Sequence, residues 1–283
     1  MLKTAMQTYQ FRWNNSIVSF QRPLIMGVLN ATPDSFFSGS RSTEQGELVQ
    51  RARAMQAAGA DVLDLGGIST RPGSEAISVE AEWERLKGSL EALAEAELTI
   101  PLSLDTYRRP VAEKALAYGV AIINDVYGGA YDPELPKFAA EHSLVYVLTH
   151  SQGTAQTMQV NPHYSDVVSE VMQFFSAKRE ALYDLGLHDL WLDPGFGFGK
   201  TMQHNYDLLR ALPSFQTLFP EPILVGLSRK RMIQEATGQG AEACLPGTLA
   251  AQTLAMEWGA GIVRVHDVAE AVQCRAVCFA GLD

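Results

Sequence analysis

Leu24-Ile-Met-Gly-Val-Leu-Asn30 is the stretch that decides the fold. It is too short for an ordinary helix, apolar without alternation, and closed by one polar residue. Strands covered on both faces of a parallel sheet read this way. The pattern returns at 62–67, 101–106, 122–126, 144–150, 190–195, 223–228 and 261–266, eight runs in all. Amphipathic stretches lie between them, at 44–58, 79–96, 110–118, 164–185 and 248–258. Eight strands alternating with helices count out an α/β protein of the (β/α)8 TIM barrel type. A doubly wound sheet fits fewer repeats. Upstream, the chain alternates from Tyr9 to Phe20 around Asn14-Asn15, which predicts a short N-terminal hairpin at about 7–20 closing the bottom of a barrel spanning about 24–280. No linker divides the 283 residues, so one domain is expected.

Composition bounds the function. Hydrophobic residues make up 47% and charged residues 19%, enough apolar material for a large core. A formal charge of −10 argues against nucleic acid as the main partner. No apolar run is long enough to span a bilayer, and the polar start from Met1 to Arg12 lacks the core of a secretory signal. A cytoplasmic protein with no membrane partner is the expectation. The three cysteines, Cys244, Cys274 and Cys278, predict no disulfide framework.

Polar residues gather where the apolar runs end: Asn30, the Ser69-Thr70-Arg71 loop, Asp105, Asn124, His150, Asp193, Ser228 with Lys230, and Arg264 with His266. Barrel enzymes build their sites at those C-terminal strand ends, so the endings converge on one mouth. Arg264 and His266 stand two apart and face the same way, which suits an anion such as pyrophosphate. The alternative is an arginine satisfied inside the protein beside a structural histidine. Asp105 and Asp193 suit a planar heterocycle with amino and ring N–H donors, because an unpaired buried carboxylate is costly. The alternative there is a salt bridge to Lys230 or Arg229. The run Gly195-Phe-Gly-Phe-Gly-Lys-Thr201 imitates a phosphate loop, yet Pro194 replaces its first glycine and the spacing is one residue short. No paired cysteines and histidines have metal-binding spacing, so any metal is expected to be a hard cation arriving with phosphate oxygens.

Seven segments in order resemble the bacterial dihydropteroate synthases: IMGVLNATPDSF at 25–36, GGISTRPG at 66–73, SLDT at 103–106, IND at 123–125, LDPGFGFGK at 192–200, GLSRK at 226–230 and RVHDV at 264–268. The resemblance implies an enzyme that joins 7,8-dihydropterin-6-ylmethyl pyrophosphate to p-aminobenzoate. It implies a pterin pocket of Asp105, Asn124, Asp193, Gly197, Phe198 and Lys230. A pyrophosphate site of Asn30, Arg71, Arg264 and His266 would hold Mg2+ near Asn30, and p-aminobenzoate would lie between Phe36, Thr70, Pro72 and Ser228. Asp105, Lys230, Arg264 and His266 would carry the catalysis, in a homodimer, with sulfonamides competing for the p-aminobenzoate site. The chain departs from the family pattern at Ile68, where glutamate is common, at Thr149 and Ser151, where methionines are usual, in Phe37-Ser-Gly-Ser-Arg41, and in Leu245-Pro-Gly-Thr248. Two other readings are a pterin-binding methyltransferase, which needs no pyrophosphate clamp, and a paralogue that binds pterin without turnover.

Overall fold

Asn14 and Asn15 both adopt left-handed backbone, with φ of 47° and 58°. Two such residues make the tight turn whose twist matches a hairpin, and asparagine tolerates the conformation better than most. In the computed structural model, which describes residues 7–31, 41–68, 77–154, 156–158 and 160–281, this turn joins β1 (Tyr9–Trp13) to β2 (Ser16–Phe20) as an antiparallel pair.

The remaining strands are β3 (Leu24–Asn30), β4 (Val62–Gly66), β5 (Leu102–Asp105), β6 (Val120–Asp125), β7 (Val145–Thr149), β8 (Leu190–Asp193), β9 (Ile223–Val225) and β10 (Ala260–Val265). They close a parallel barrel in the order β10-β3-β4-β5-β6-β7-β8-β9. Helices α1 (Arg41–Ala57), α2 (Val79–Glu95), α3 (Arg109–Ala115), α4 (Glu134–Glu141), α5 (Val167–Asp184), α6 (Met202–Arg210), α7 (Leu212–Leu218), α8 (Arg231–Thr237), α9 (Leu245–Glu257) and α10 (Val268–Cys278) fill the connections. Each strand therefore meets helices on one face and the barrel interior on the other, which is why its sequence is apolar throughout.

The two faces form two cores. Ile25, Leu63, Leu104, Ile123, Leu148, Leu192, Val225 and Val263 pack outward beneath the helices. Met26, Val62, Ile122, Val145, Val147, Trp191, Leu224 and Ile262 fill the interior, and Phe11 of the hairpin joins them. The Phe11 ring meets Trp191 edge-on at 5.4 Å, so the hairpin plugs the lower opening. With the bottom filled by apolar side chains, only the upper end of the interior is left for polar groups.

Several boundaries differ from the sequence reading for local reasons. The expected helix at 164–185 begins at Val167, because the Asp166 carboxylate accepts from the Ser169 N–H and caps it. The run at 223–228 stops being a strand after Val225, and Arg229 takes a left-handed φ of 56° that no strand accommodates. Helices α4, α6, α7 and α8 are short and were not picked out by periodicity. No helix among the described residues is long and apolar enough to cross a membrane.

Candidate active site

Strand alternation sets what the mouth contains. Residues sharing a face with the interior core continue upward as Asp64 on β4, Ser103 and Asp105 on β5, Asn124 on β6, Thr149 on β7, Asp193 on β8 and Arg264 on β10. Register then brings them side by side: Asp64 opposite Ser103, Gly66 opposite Asp105, Asp105 opposite Asn124, and Thr149 opposite Asp193.

At the centre sits Arg264. Its Nε donates to Asp64 Oδ2 at 2.6 Å and its Nη2 donates to Asp105 Oδ2 at 2.9 Å. Asp64, fully buried, also accepts from Ser103 Oγ at 2.6 Å and from Asn124 Nδ2 at 3.1 Å. Asp64 lies inside its strand rather than at its end, so the strand endings do not reveal it. Its signal was a lone carboxylate inside the apolar run at 62–67, which is costly unless it is paired. Asp105 is paired in this structure, with Arg264 rather than with Lys230 or Arg229. Arg229 instead clasps Asp267 through Nε at 3.0 Å and Nη2 at 2.7 Å. That pair of hydrogen bonds holds the left-handed turn carrying Ser228 and Lys230.

On the opposite side, Asp193 accepts from the Gly195 N–H at 2.7 Å. Lys230 donates to the Phe196 carbonyl and lies over the Phe198 ring, 4.7 Å from its centroid. A Cβ added to Gly226 would contact both Lys230 Nζ, at 3.8 Å, and Arg264 Cβ, at 4.0 Å, so these two cations flank one glycine. Gly197 approaches Lys230 as closely, and its N–H is held by Asn205 Oδ1 at 2.7 Å. Gly195 is required by space: with φ of 73°, its Cβ would sit 1.9 Å from the His150 carbonyl oxygen.

Burial governs the charges. It pushes the Asp105 carboxyl up to about 7 against the pull of Arg264, while the neighbouring Asp64 adds repulsion. Asp193 is raised by burial and drawn back by Lys230 and the Gly195 N–H. Burial lowers Lys230 to about 8, and Asp193 opposes that shift. Asp193 and Lys230 thus each feel the other's charge and that of Arg264. At the rim, Ser228 is buried and His266 is exposed, with His266 Nδ1 2.9 Å from Ser228 Oγ. Asn30 is exposed at the end of β3, in register with Gly66. Phe36, Thr70, Arg71 and Pro72 lie outside the described residues.

One strand-end residue, His150, serves elsewhere. His150 faces the helix side, where its ring packs edge-on against Phe174 at 5.0 Å and its Nδ1 lies 3.0 Å from Lys200 Nζ. Lys200 also donates to the carbonyls of His150, Gly195 and Phe198 at 3.2, 3.0 and 3.1 Å. These contacts take up its three N–H donors and tie the glycine-rich loop to His150. Burial brings Lys200 down to about 7, and burial with the adjacent lysine lowers His150 to about 3.

Two buried carboxylates, Asp105 and Asp193, thus stand at the mouth, the first bonded to Arg264. This barrel and this mouth are those of a pterin-binding enzyme, and the family model described as pterin binding enzyme matches residues 26–266. A dihydropteroate synthase from Synechocystis sp. is 41% identical, covering 88% of this chain and 86% of the relative. The dihydropteroate synthase of Escherichia coli K12 is 40% identical over 94% of each chain. Among solved structures, Xanthomonas albilineans dihydropteroate synthase with 4-aminobenzoic acid superposes with a TM-score of 0.87 at 39% identity, covering 95% of this chain and 97% of that one. The same enzyme in complex with 7,8-dihydropteroate gives 0.81 at 35% identity, covering 95% and 96%. The chain belongs to the dihydropteroate synthase family.

Proposed function

We propose that this chain condenses 7,8-dihydropterin-6-ylmethyl pyrophosphate with p-aminobenzoate, giving 7,8-dihydropteroate and pyrophosphate. The observation that carries this reading is the position of Arg264, bonded to both Asp64 and Asp105 at the strand ends and a quarter exposed. The pterin ring would lie against Asp105, Asn124, Asp193, Gly197, Phe198 and Lys230. Its pyrophosphate would face Asn30, Arg71, Arg264 and His266, and p-aminobenzoate would sit with Phe36, Thr70, Pro72 and Ser228. The relatives solved with 4-aminobenzoic acid and with 7,8-dihydropteroate support this choice of substrates.

The chemistry follows from charge. The methylene–oxygen bond breaks with its electron pair leaving on pyrophosphate, and positive charge spreads into the ring. The Asp105 carboxylate stabilises that cation, while Arg264 and His266 stabilise the departing anion. The arylamine lone pair then forms the new carbon–nitrogen bond, and the resulting ammonium gives its proton to the released pyrophosphate or to water. An arylamine is a weak nucleophile, so holding it in line contributes more than deprotonating it beforehand.

Mg2+ fits the donors of the rim in one way. Among the described residues no group of His, Cys, Asp or Glu is arranged to hold a metal, and Asn30 offers a single exposed amide oxygen. An ion held there would take most of its ligands from pyrophosphate and water, as Mg2+ commonly does. When bound, it would neutralise the leaving group. The need for it is electrostatic: Arg264 and Lys230 already face Asp64, Asp105 and Asp193. We place the enzyme in the cytoplasm, as one barrel domain paired into a homodimer.

The test is a steady-state assay of pyrophosphate release and dihydropteroate formation, with and without Mg2+. Stoichiometric appearance of both products, dependent on Mg2+, is expected. Pterin consumption without pyrophosphate release would overturn the reading.

A further inference from the structure

Thr149 is the last residue of β7 and shares the interior-facing side of that strand with Val145 and Val147. Across the barrel wall its register partner is Asp193. The side chain is 1% exposed, and its Oγ1 is buried without a hydrogen-bond partner among the described residues. Its register partner Asp193 accepts from the Gly195 N–H, and Asn124 on the neighbouring strand donates to Asp64.

A buried hydroxyl left unpaired destabilises the free protein, because it gives up its bonds to water and gains none. Valine would fill the same volume without that cost. The hydroxyl also stands at the C-terminal end of a barrel strand, in register with Asp193, at the end where barrel enzymes build their sites.

We propose that Thr149 is a specificity-determining residue whose hydroxyl hydrogen-bonds the polar edge of the bound heterocycle next to Asp193. This rests on the functional reading above and adds to it. A hydroxyl both donates and accepts, so it matches the amino, carbonyl and ring-nitrogen groups along a pterin's edge. The unpaired state of the free protein is then completed by the ligand. A site holding such a hydroxyl discriminates against heterocycles that lack a polar atom at that position.

The experiment compares wild type, Thr149→Val and Thr149→Ser. The probe is 6-hydroxymethyl-7,8-dihydropterin, which lacks the leaving group, with its Kd measured by calorimetry and each Tm by thermal unfolding. Thr149→Val is expected to weaken pterin binding about tenfold, the effect of one lost hydrogen bond. The same change is expected to raise the Tm of the free protein by about 2–4 °C. Thr149→Ser keeps pterin affinity near wild type, and the KM for p-aminobenzoate stays unchanged in both variants. An affinity in Thr149→Val equal to wild type overturns the inference, as does an equal loss in valine and serine variants, which would assign the effect to packing. Failure of the wild-type chain itself to bind the pterin would overturn the functional reading instead, and this inference with it.

Discussion

Replacing Asp64 by asparagine tests whether the carboxylate beneath Arg264 builds the site. Asp64 is fully buried and accepts from Ser103, Asn124 and Arg264 at 2.6, 3.1 and 2.6 Å. Asparagine keeps the shape but loses the charge and exchanges one acceptor for a donor. The rotamer with its amide oxygen toward Arg264 and Asn124 keeps those two bonds, and the Ser103 hydroxyl can turn to accept from the new NH2 group. Arg264 also retains Asp105 at 2.9 Å. The cost therefore falls near the lower end for breaking a buried ion pair, about 3 kcal/mol. For a chain of this size that lowers the Tm by about 6–12 °C. If about 1.4 kcal/mol of orientation is lost at Arg264 and Asn124, kcat/KM for the pterin substrate falls roughly tenfold. Asp64 touches neither Ser228 nor His266, so the KM for p-aminobenzoate should hold. Thermal unfolding followed by circular dichroism and a pyrophosphate-release assay read the two effects. A Tm within about 2 °C of wild type, together with an unchanged kcat/KM, would refute the reasoning.

Lys230 gives a pH prediction. Burial lowers it to about 8, so its ammonium is present below that pH and lost as pH rises through it. Pterin affinity should therefore decline on the alkaline side with an apparent pKa near 8. Lys230→Arg, which cannot lose its proton in this range, should remove that decline even if overall affinity drops. An alkaline limb that persists in the arginine variant would assign it to another group. Phe11→Ala tests the plug: Phe11 is 2% exposed and packs edge-on against Trp191. Losing a buried phenyl ring should cost about 3 kcal/mol, lowering the Tm by about 6–12 °C. The KM values at 25 °C should stay near wild type, and a stable variant with impaired catalysis would contradict a purely structural hairpin.

The barrel was legible because parallel strands covered on both faces must be apolar at nearly every position. The hairpin was legible because Asn14-Asn15 is among the few pairs that accept two left-handed residues. The location of the mouth followed from strand endings, a local property. Pairing was not local. Arg264 meets Asp64 and Asp105 across 200 and 159 residues of chain, and which carboxylate an arginine reaches depends on barrel register rather than on neighbours in sequence. Arg229 illustrates the same limit. Its clasp on Asp267 spans 38 residues and follows from a backbone twist that no periodicity reveals. His150 was misplaced for a simpler reason: adjacent residues on a strand point to opposite faces, and Thr149 took the interior one.

The pairing that sequence could not supply also explains how one cavity can serve two opposite charges. Had Arg264 stood free at the rim, it would bind pyrophosphate strongly in substrate and product alike, which lowers KM without accelerating the bond-breaking step. Shared between Asp64 and Asp105, its positive charge is largely offset before the substrate arrives. In the proposed reaction the ring methylene becomes cationic as the bond to pyrophosphate lengthens, and Asp105 is drawn toward that new charge. Its hold on Arg264 then weakens at the moment when the leaving group gains negative charge and needs the guanidinium most. On that proposal Arg264 would bind the transition state better than the ground state, through an exchange of partners set by two carboxylates rather than by a free cation.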